Sequence, residues 1–192
     1  MKKILLCMIL LLIGMTLWAK TSEEWIDSAF QMEKNDINQA LKIMVNAKKE
    51  YPENPDILSV YGYMAGLAAK DTYKLRALYL VTSAISAFDT ALQIDDNHKN
   101  ARLWRGILKI NMPSFMGKVP AGISDLEVIE KRTDLTETEY IQTKFFLGMG
   151  YGKAELYEKA IASFDQVIAL GNNDIYEKDS KKRIAKILSE KK

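Results

Sequence analysis

Apolar residues recur at intervals of three and four positions along most of the chain, which is the spacing that brings side chains to one face of a helix. No stretch alternates between apolar and polar residues as a half-buried strand does. Glycine and proline are scarce, with ten and four residues. The pattern therefore predicts an all-α protein, and the length suits one domain with a continuous core.

One glycine-rich segment, Leu147–Phe164, contains three glycines followed by a lysine and could be read in two ways. A phosphate-binding loop needs G-x-x-x-x-G-K-[ST], in which backbone amides surround the phosphates and a hydroxyl reaches the metal ion. The stretch from Gly148 to Lys153 is one residue too short for this motif, and Ala154 carries no hydroxyl. We therefore expect these glycines to serve helix packing and turns.

The same segment carries two sets of spaced residues that fit a pair of helices. Leu147, Gly148 and Tyr151 belong to the first set, and Ala160 and Phe164 follow in the second. This pattern resembles the tetratricopeptide repeat, a helix–turn–helix unit of about 34 residues. The small glycine and alanine would let the two helices approach closely, and the large residues would fill the space around that contact.

A single repeat cannot bury its own apolar face, and three other segments carry related patterns. In chain order, the second-helix positions of the four units are Ala40, Met44 and Ala47; Ala84, Phe88 and Ala91; Gly122, Leu126 and Ile129; and Ala160, Phe164 and Val167. The resemblance implies a right-handed α-solenoid. Within a repeat domain spanning 20–174, it places the units at about 21–54, 55–98, 99–140 and 141–174, with a C-terminal capping helix over 175–192.

Two segments depart from the repeat pattern. About ten extra residues, Lys70–Tyr79, precede the second helix of the second unit, and we expect them to lengthen that helix so that it walls off part of the groove. In the third unit, prolines and glycines between Asn111 and Gly122 predict an irregular loop.

The N-terminus has the layout of a secretory signal, with Lys2 and Lys3 followed by an apolar run that ends at Ala19. We expect residues 1–19 to be a signal peptide and the protein to be exported to the periplasm or secreted. The alternative is an uncleaved N-terminal helix that anchors the chain to a membrane.

Charge and residue usage exclude several classes of function. The chain has 27 basic and 25 acidic residues, and removal of residues 1–19 would take away two lysines and equalise the two counts. A neutral chain lacks the basic footprint of a nucleic-acid-binding protein. The single histidine, His98, could ligate a metal with Asp95 and Asp96, but we expect a solvated loop residue. No catalytic motif is recognisable, so we expect no enzyme activity, metal or cofactor.

The resemblance implies that a partner binds on the concave face, which the first helices of the repeats line. Carried over unit by unit, the groove positions are Trp25, Met32, Tyr63, Asn100, Leu103, Ile107, Gln142, Phe145 and Met149. The alternative is that these residues are ordinary core. A mostly apolar groove favours an amphipathic helix or an apolar peptide.

A second candidate site lies in the third unit, where Arg102, Arg105 and Lys109 share one helix face. In one reading, Arg102 and Arg105, with Lys118, hold an anion such as a carboxylate. In the other, nearby acids such as Asp125 or Glu127 pair with the arginines.

Together these features predict a non-enzymatic protein-interaction module of the cell envelope. The alternatives are a solute-binding accessory of a periplasmic transport system and a membrane-tethered assembly factor.

Overall fold

The computed structural model describes residues 20–171 and 174–190, without the side chain of Asp174. The expected signal peptide lies outside the described residues. The helices are α1 Ser22–Glu33, α2 Ile37–Glu50, α3 Pro55–Ala68, α4 Lys74–Ile94, α5 Lys99–Asn111, α6 Val119–Glu130, α7 Glu137–Lys153, α8 Tyr157–Leu170 and α9 Asp174–Glu190, with a 3₁₀ turn at Ser114–Met116 between α5 and α6.

The helices stack as successive hairpins, in which α1 packs on α2, α3 on α4, α5 on α6 and α7 on α8, with α9 packed on α7 and α8. Hydrogen bonds between helix ends show the alternation of direction. The Tyr51 hydroxyl at the end of α2 donates to the Lys20 carbonyl before α1, at 2.8 Å. The predicted all-α solenoid with a C-terminal capping helix is therefore confirmed.

Close helix contacts explain the glycines of the repeat pattern. A Cβ at Gly148 would lie 2.6 Å from the Phe164 ring, and one at Gly62 would lie 2.7 Å from the Phe88 ring. Since real Cβ atoms do not approach other atoms so closely, each aromatic ring occupies the space that a side chain would need. All three glycines of the Gly148–Gly152 stretch lie inside α7, which excludes a phosphate loop there.

The buried side chains form two clusters along the solenoid. The first is built from α1 to α4 together with Ala101 at the start of α5. The second is built from α5 to α9. The side chain of Trp104 on α5 packs against both clusters and joins the two halves of the molecule.

The expected lengthening of the second helix in the second unit is confirmed, because α4 runs for 21 residues. Among the described helices, α4 alone has the length and hydropathy of a membrane span. Its C-terminal half, however, belongs to the core of this fold through Ala84, Phe88 and Ala91.

The irregular segment of the third unit is shorter than expected. Helix α6 begins at Val119, so Pro120 and Gly122 are helical and do not extend the loop to Gly122. Proline is tolerated in the first turn of a helix because the amide it lacks would have no partner there.

His98 also differs from the expectation of a solvated loop residue. Its side chain is mostly buried, its Nδ1 accepts from the Ala101 amide at 3.1 Å, and its Nε2 lies 3.0 Å from Asp56 Oδ1. His98 therefore caps the N-terminus of α5 and ties it to the start of α3.

Candidate interaction groove

An open groove of about 880 Å³ runs along the described part of the solenoid. Its floor is formed by first helices of the repeats and by α9, through Phe30, Tyr63, Trp104, Phe146 and Tyr176. One wall is the N-terminal half of α4, with Ala77, Leu78 and Val81, and another is the α5–α6 connection, with Met112, Pro113, Phe115 and Met116. The two departures from the repeat pattern thus build the walls of this groove.

The aromatic rings on the floor of the groove form two groups. The ring centroids of Phe30 and Tyr63 lie 6.1 Å apart, and those of Tyr63 and Trp104 lie 4.7 Å apart. In the second group, the ring centroid of Tyr176 lies 6.4 Å from that of Phe146 and 4.7 Å from that of the buried Phe145. Aromatic rings in mutual contact present a broad, stiff apolar surface with few rotamers to lose on binding.

Polar groups are sparse on this surface. The Tyr63 hydroxyl donates to Glu33 Oε1 at 3.0 Å, and burial together with the neighbouring Glu33 carboxylate raises the pKa of the Tyr63 phenol well above its usual value. Burial also raises the pKa of Tyr176, although a hydrogen bond with Gln142 opposes that effect. The charged side chains among the described lining residues are Lys70 and Lys74, both exposed, and no described carboxylate lines the groove.

The candidate anion site is occupied by the protein's own carboxylates. The buried Asp125 accepts from Arg105 Nε at 2.9 Å, from Arg105 Nη2 at 2.5 Å and from Lys109 Nζ at 3.0 Å. Arg105 Nη1 donates to Asp89 at 2.6 Å. Burial lowers the pKa of the Arg105 guanidinium, but the hydrogen bonds with Asp125 and Asp89 outweigh it and hold the pKa above its usual value.

The other residues considered for the anion site, Arg102, Lys118 and Glu127, do not line the groove either. Arg102 lies 3.7 Å from Asp125 and donates to the Asp96 carbonyl. Lys118 is exposed in the connection before α6, and Glu127 accepts from the Tyr151 hydroxyl at 2.8 Å. This geometry favours the structural reading, with Asp125 as the partner acid and Glu127 bound elsewhere.

Lys153 lies in helix α7 and joins it to the end of α5. Its ammonium donates to the Ile110 carbonyl at 2.6 Å and to the Met112 carbonyl at 3.1 Å. These carbonyls are among those that a helix leaves unpaired at its C-terminus. Desolvation lowers the pKa of Lys153, with a smaller effect of Arg183 in the same direction. The lysine thus fixes the α5–α6 connection that walls the groove.

No group of three or more His, Cys, Asp or Glu side chains that could hold a metal ion occurs in the part of the chain that the structure describes. The expected alternative ligands, Asp95 and Asp96, are exposed in the α4–α5 turn.

Comparison with known proteins identifies the architecture. Neither protein-family models nor curated proteins match the chain. Among solved structures, it is similar to MamA from residue 41 to its end, from Desulfovibrio magneticus RS-1, with a TM-score of 0.59 and 16% identity over 90% of this chain and 93% of that one. The MamA RS-1 ArsTM double mutant gives a TM-score of 0.58 at 16% identity, over 89% and 92%. A thermophilic tetratricopeptide-repeat protein of Thermus thermophilus gives 0.47 at 15% identity, over 88% and 99%.

The MamA likeness extends along the stacked hairpins, and their glycine–aromatic contacts are those expected of the repeat. The chain has a tetratricopeptide-repeat-like fold. In this repeat-like fold, the first helices α1, α3, α5 and α7 contribute residues to the floor of the groove.

Three of the nine expected groove residues, Tyr63, Ile107 and Gln142, line the observed groove. Leu103 and Phe145 do not, because they are only 1% and 4% exposed and belong to the core. Their neighbours Trp104 and Phe146 face the groove instead. Adjacent helix residues point about 100° apart, so an error of one position in the carried-over register exchanges a core residue for a surface residue.

The other four expected residues lie outside the lining. Trp25 and Met32 are partly buried against the first core, and Trp25 Nε1 donates to Glu50 at 3.0 Å. Met149 is partly buried against the second core, and Asn100 is partly buried near the start of α5. Sequence reasoning missed Phe30, Trp104, Phe146 and Tyr176, which lie far apart on four different helices and share no sequence motif.

Proposed function

We propose that this protein is a non-enzymatic interaction module of the cell envelope that binds an amphipathic helix or apolar peptide of a partner protein in the aromatic groove. The observation that carries this proposal is the aromatic floor, which brings together residues from α1, α3, α5, α7 and α9. The tetratricopeptide-like fold supports a protein partner, and the N-terminal sequence supports export.

The shape of the groove fits a chain-like ligand. It is partly open to solvent, spans residues from the first helix to the last and is mostly apolar, so affinity would come from buried apolar area at about 25 cal/mol per Å². An amphipathic helix presents a continuous apolar stripe of the kind such grooves accept. A closed cavity would suit the alternative solute-binding role better than an open groove does.

A photo-crosslinking experiment tests the proposal. A crosslinking amino acid placed at Ile107 on the groove should capture envelope proteins through segments with helical amphipathic patterns, identified by mass spectrometry of the crosslinked peptides. The same group placed at Val128, which is 44% exposed and not part of the lining, is the matched control.

A substitution experiment completes the test. With the crosslinking amino acid moved to Gln142, which also lines the groove, Ile107→Glu should remove capture, because a carboxylate would have to lose its hydration in an apolar contact. Val128→Glu should leave capture intact. Equal capture by both variants, with helicity unchanged by circular dichroism, would refute binding in the groove.

A further inference from the structure

One end of the molecule exposes a concentration of large apolar side chains. In the inserted segment Lys70–Tyr79, Tyr73, Leu75, Leu78 and Tyr79 are between 52% and 77% exposed. Phe115, on the α5–α6 connection, is 90% exposed. A concentration of large apolar groups exposed to water usually marks a contact surface.

The chain topology brings these residues to the same end. His98, just before α5, contacts Asp56 at the start of α3, so α3 and α5 begin at the same end of the molecule. The end of α5 therefore lies with the end of α3, where α4 begins after a short turn. Leu78 and Phe115 line the mouth of the same groove. The exposed residues of the insertion and of the α5–α6 connection therefore lie at one end of the molecule, here called the apolar end and defined as Tyr73, Leu75, Leu78, Tyr79 and Phe115.

Four cationic side chains lie close in sequence to the residues of the apolar end. Lys70, Lys74 and Arg76 lie in the inserted segment, whose one acidic residue is Asp71, and Lys118 follows Phe115. All four cations are exposed. Apolar and aromatic groups ringed by lysine and arginine are typical of surfaces that sit at the boundary between headgroups and acyl chains.

We infer that the apolar end docks on an anionic bilayer surface. Leu75, Leu78 and Phe115 would enter the acyl boundary, the tyrosines would lie at headgroup level, and the surrounding cations would contact lipid phosphates. This surface is separate from any membrane contact of residues 1–19, and it shares Leu78 and Phe115 with the lining of the groove.

Charge distinguishes this occupant from a second copy of the chain. Two copies meeting through the apolar end would bring like charges of both rings together, which disfavours association. An anionic bilayer instead meets both the apolar groups and the cations.

Depth-dependent fluorescence quenching tests the inference in the full-length chain. Tryptophan is introduced separately by Phe115→Trp, Leu75→Trp and, as a control at the opposite end, Ile175→Trp, whose native residue is 79% exposed against 77% for Leu75. Each variant is mixed with vesicles of brominated phosphatidylglycerol and phosphatidylcholine, and the signal of the unmodified chain is subtracted. Because all variants carry the same residues 1–19, differences between them report the introduced position.

The inference predicts at least a twofold stronger quenching at positions 115 and 75 than at 175. It also predicts a loss of most of that quenching in vesicles of brominated phosphatidylcholine alone or at high salt. In the Phe115→Trp background, Lys70→Glu combined with Lys74→Glu should reduce quenching severalfold. Lys42→Glu with Lys49→Glu, on exposed positions outside the groove, should not.

Three outcomes would overturn the inference: equal quenching at all three positions, equal quenching in neutral lipid, or protection of position 115 without vesicles in a chain that sediments as a dimer. In the Phe115→Trp background, adding Ile107→Glu should leave the quenching unchanged. Loss of partner capture and loss of bilayer docking are therefore separable.

Discussion

Asp125 shows how single residues stabilise this fold. A buried carboxylate is costly unless cations and hydrogen bonds compensate it. Arg105 supplies a two-point contact with both carboxylate oxygens, Lys109 adds a third bond, and Arg105 continues to Asp89 on α4. The cluster therefore links α4 of the second hairpin to α5 and α6 of the third at one point.

Substitution of Arg105 should show how far the fold depends on compensation of the Asp125 charge. We expect Arg105→Met to lower the free energy of unfolding by about 3 kcal/mol, because Asp125 would remain buried with only part of its compensation. Urea unfolding followed by circular dichroism measures the change.

Two further variants make that prediction specific. Arg132→Met, which breaks an exposed pair with Asp134, should leave stability nearly unchanged. Arg105→Met combined with Asp125→Leu should recover much of the loss, since no buried charge is left unpaired. A full loss of partner binding in Arg105→Met, with stability unchanged, would instead support the anion site.

A second residue-scale prediction concerns the packing of α7 on α8. Phe164 is 1% exposed and its ring contacts Gly148. We expect Phe164→Ala to cost about 3–5 kcal/mol of unfolding free energy, as truncation of a buried aromatic side chain does. Phe115→Ala removes an equal side chain from a position that is 90% exposed and should change stability by less than about 0.5 kcal/mol. Similar losses in both variants would contradict this packing.

At the scale of elements, the number of residues between each packing glycine and its partner phenylalanine gives the length of the insertion. Gly148 precedes Phe164 by 16 residues, whereas Gly62 precedes Phe88 by 26. The extra ten residues equal the length of Lys70–Tyr79. Since burial within α4 begins at Leu80, the insertion extends the helix without adding to the core.

Deletion of Lys70–Tyr79 should therefore restore the regular repeat length and preserve the fold. We expect the free energy of unfolding to fall by no more than about 1 kcal/mol, because the removed side chains are mostly exposed. Position-specific quenching at Phe115→Trp should fall with the deletion. A deletion variant that fails to unfold cooperatively would show that the insertion contributes to the core.

Sequence reasoning predicted helices better than their surfaces. The small and large residues of the repeat, such as Gly148 and Phe164, are dictated by close helix contact and so are readable from spacing. The faces of Leu103 and Phe145 could not be read with the same accuracy, because one position of register changes the direction of a side chain. The start of α6 was missed because Pro120 signals a break, although it is compatible with the first helical turn.

At the scale of the whole molecule, two tyrosines, Tyr63 and Tyr151, make the free energy of unfolding depend on pH. Burial, aided by Glu33 at Tyr63 and by Glu127 at Tyr151, raises the pKa of both phenols above their usual value. An unfolded chain releases these protons near pH 10, whereas the folded chain retains them. Deprotonation therefore favours the unfolded state as the pH rises.

We accordingly expect stability to be nearly constant with respect to these phenols below about pH 9 and to decline above about pH 10. Urea unfolding at pH 8, 10 and 11 measures the decline. Tyr63→Phe combined with Tyr151→Phe should flatten it. An equally steep decline in that variant would assign the effect to other groups.

Export is the remaining whole-molecule prediction. If residues 1–19 are a signal peptide, mass spectrometry of the protein from its native source should place the mature N-terminus at or near Lys20. The Lys-then-apolar layout of the segment motivates this expectation. An intact Met1 in a soluble cytoplasmic fraction would contradict it.

Trp104 belongs to the surroundings of both buried clusters, and this position has a consequence for the order of unfolding. Repeat proteins lose their ends more readily than their middle, because each unit is held by its neighbours. If either half of the molecule unfolds, Trp104 loses the contacts that it makes with the core of that half. We therefore expect the unfolding of one half to destabilise the other through this side chain. The fluorescence of Trp104 would then change whichever terminus opens first.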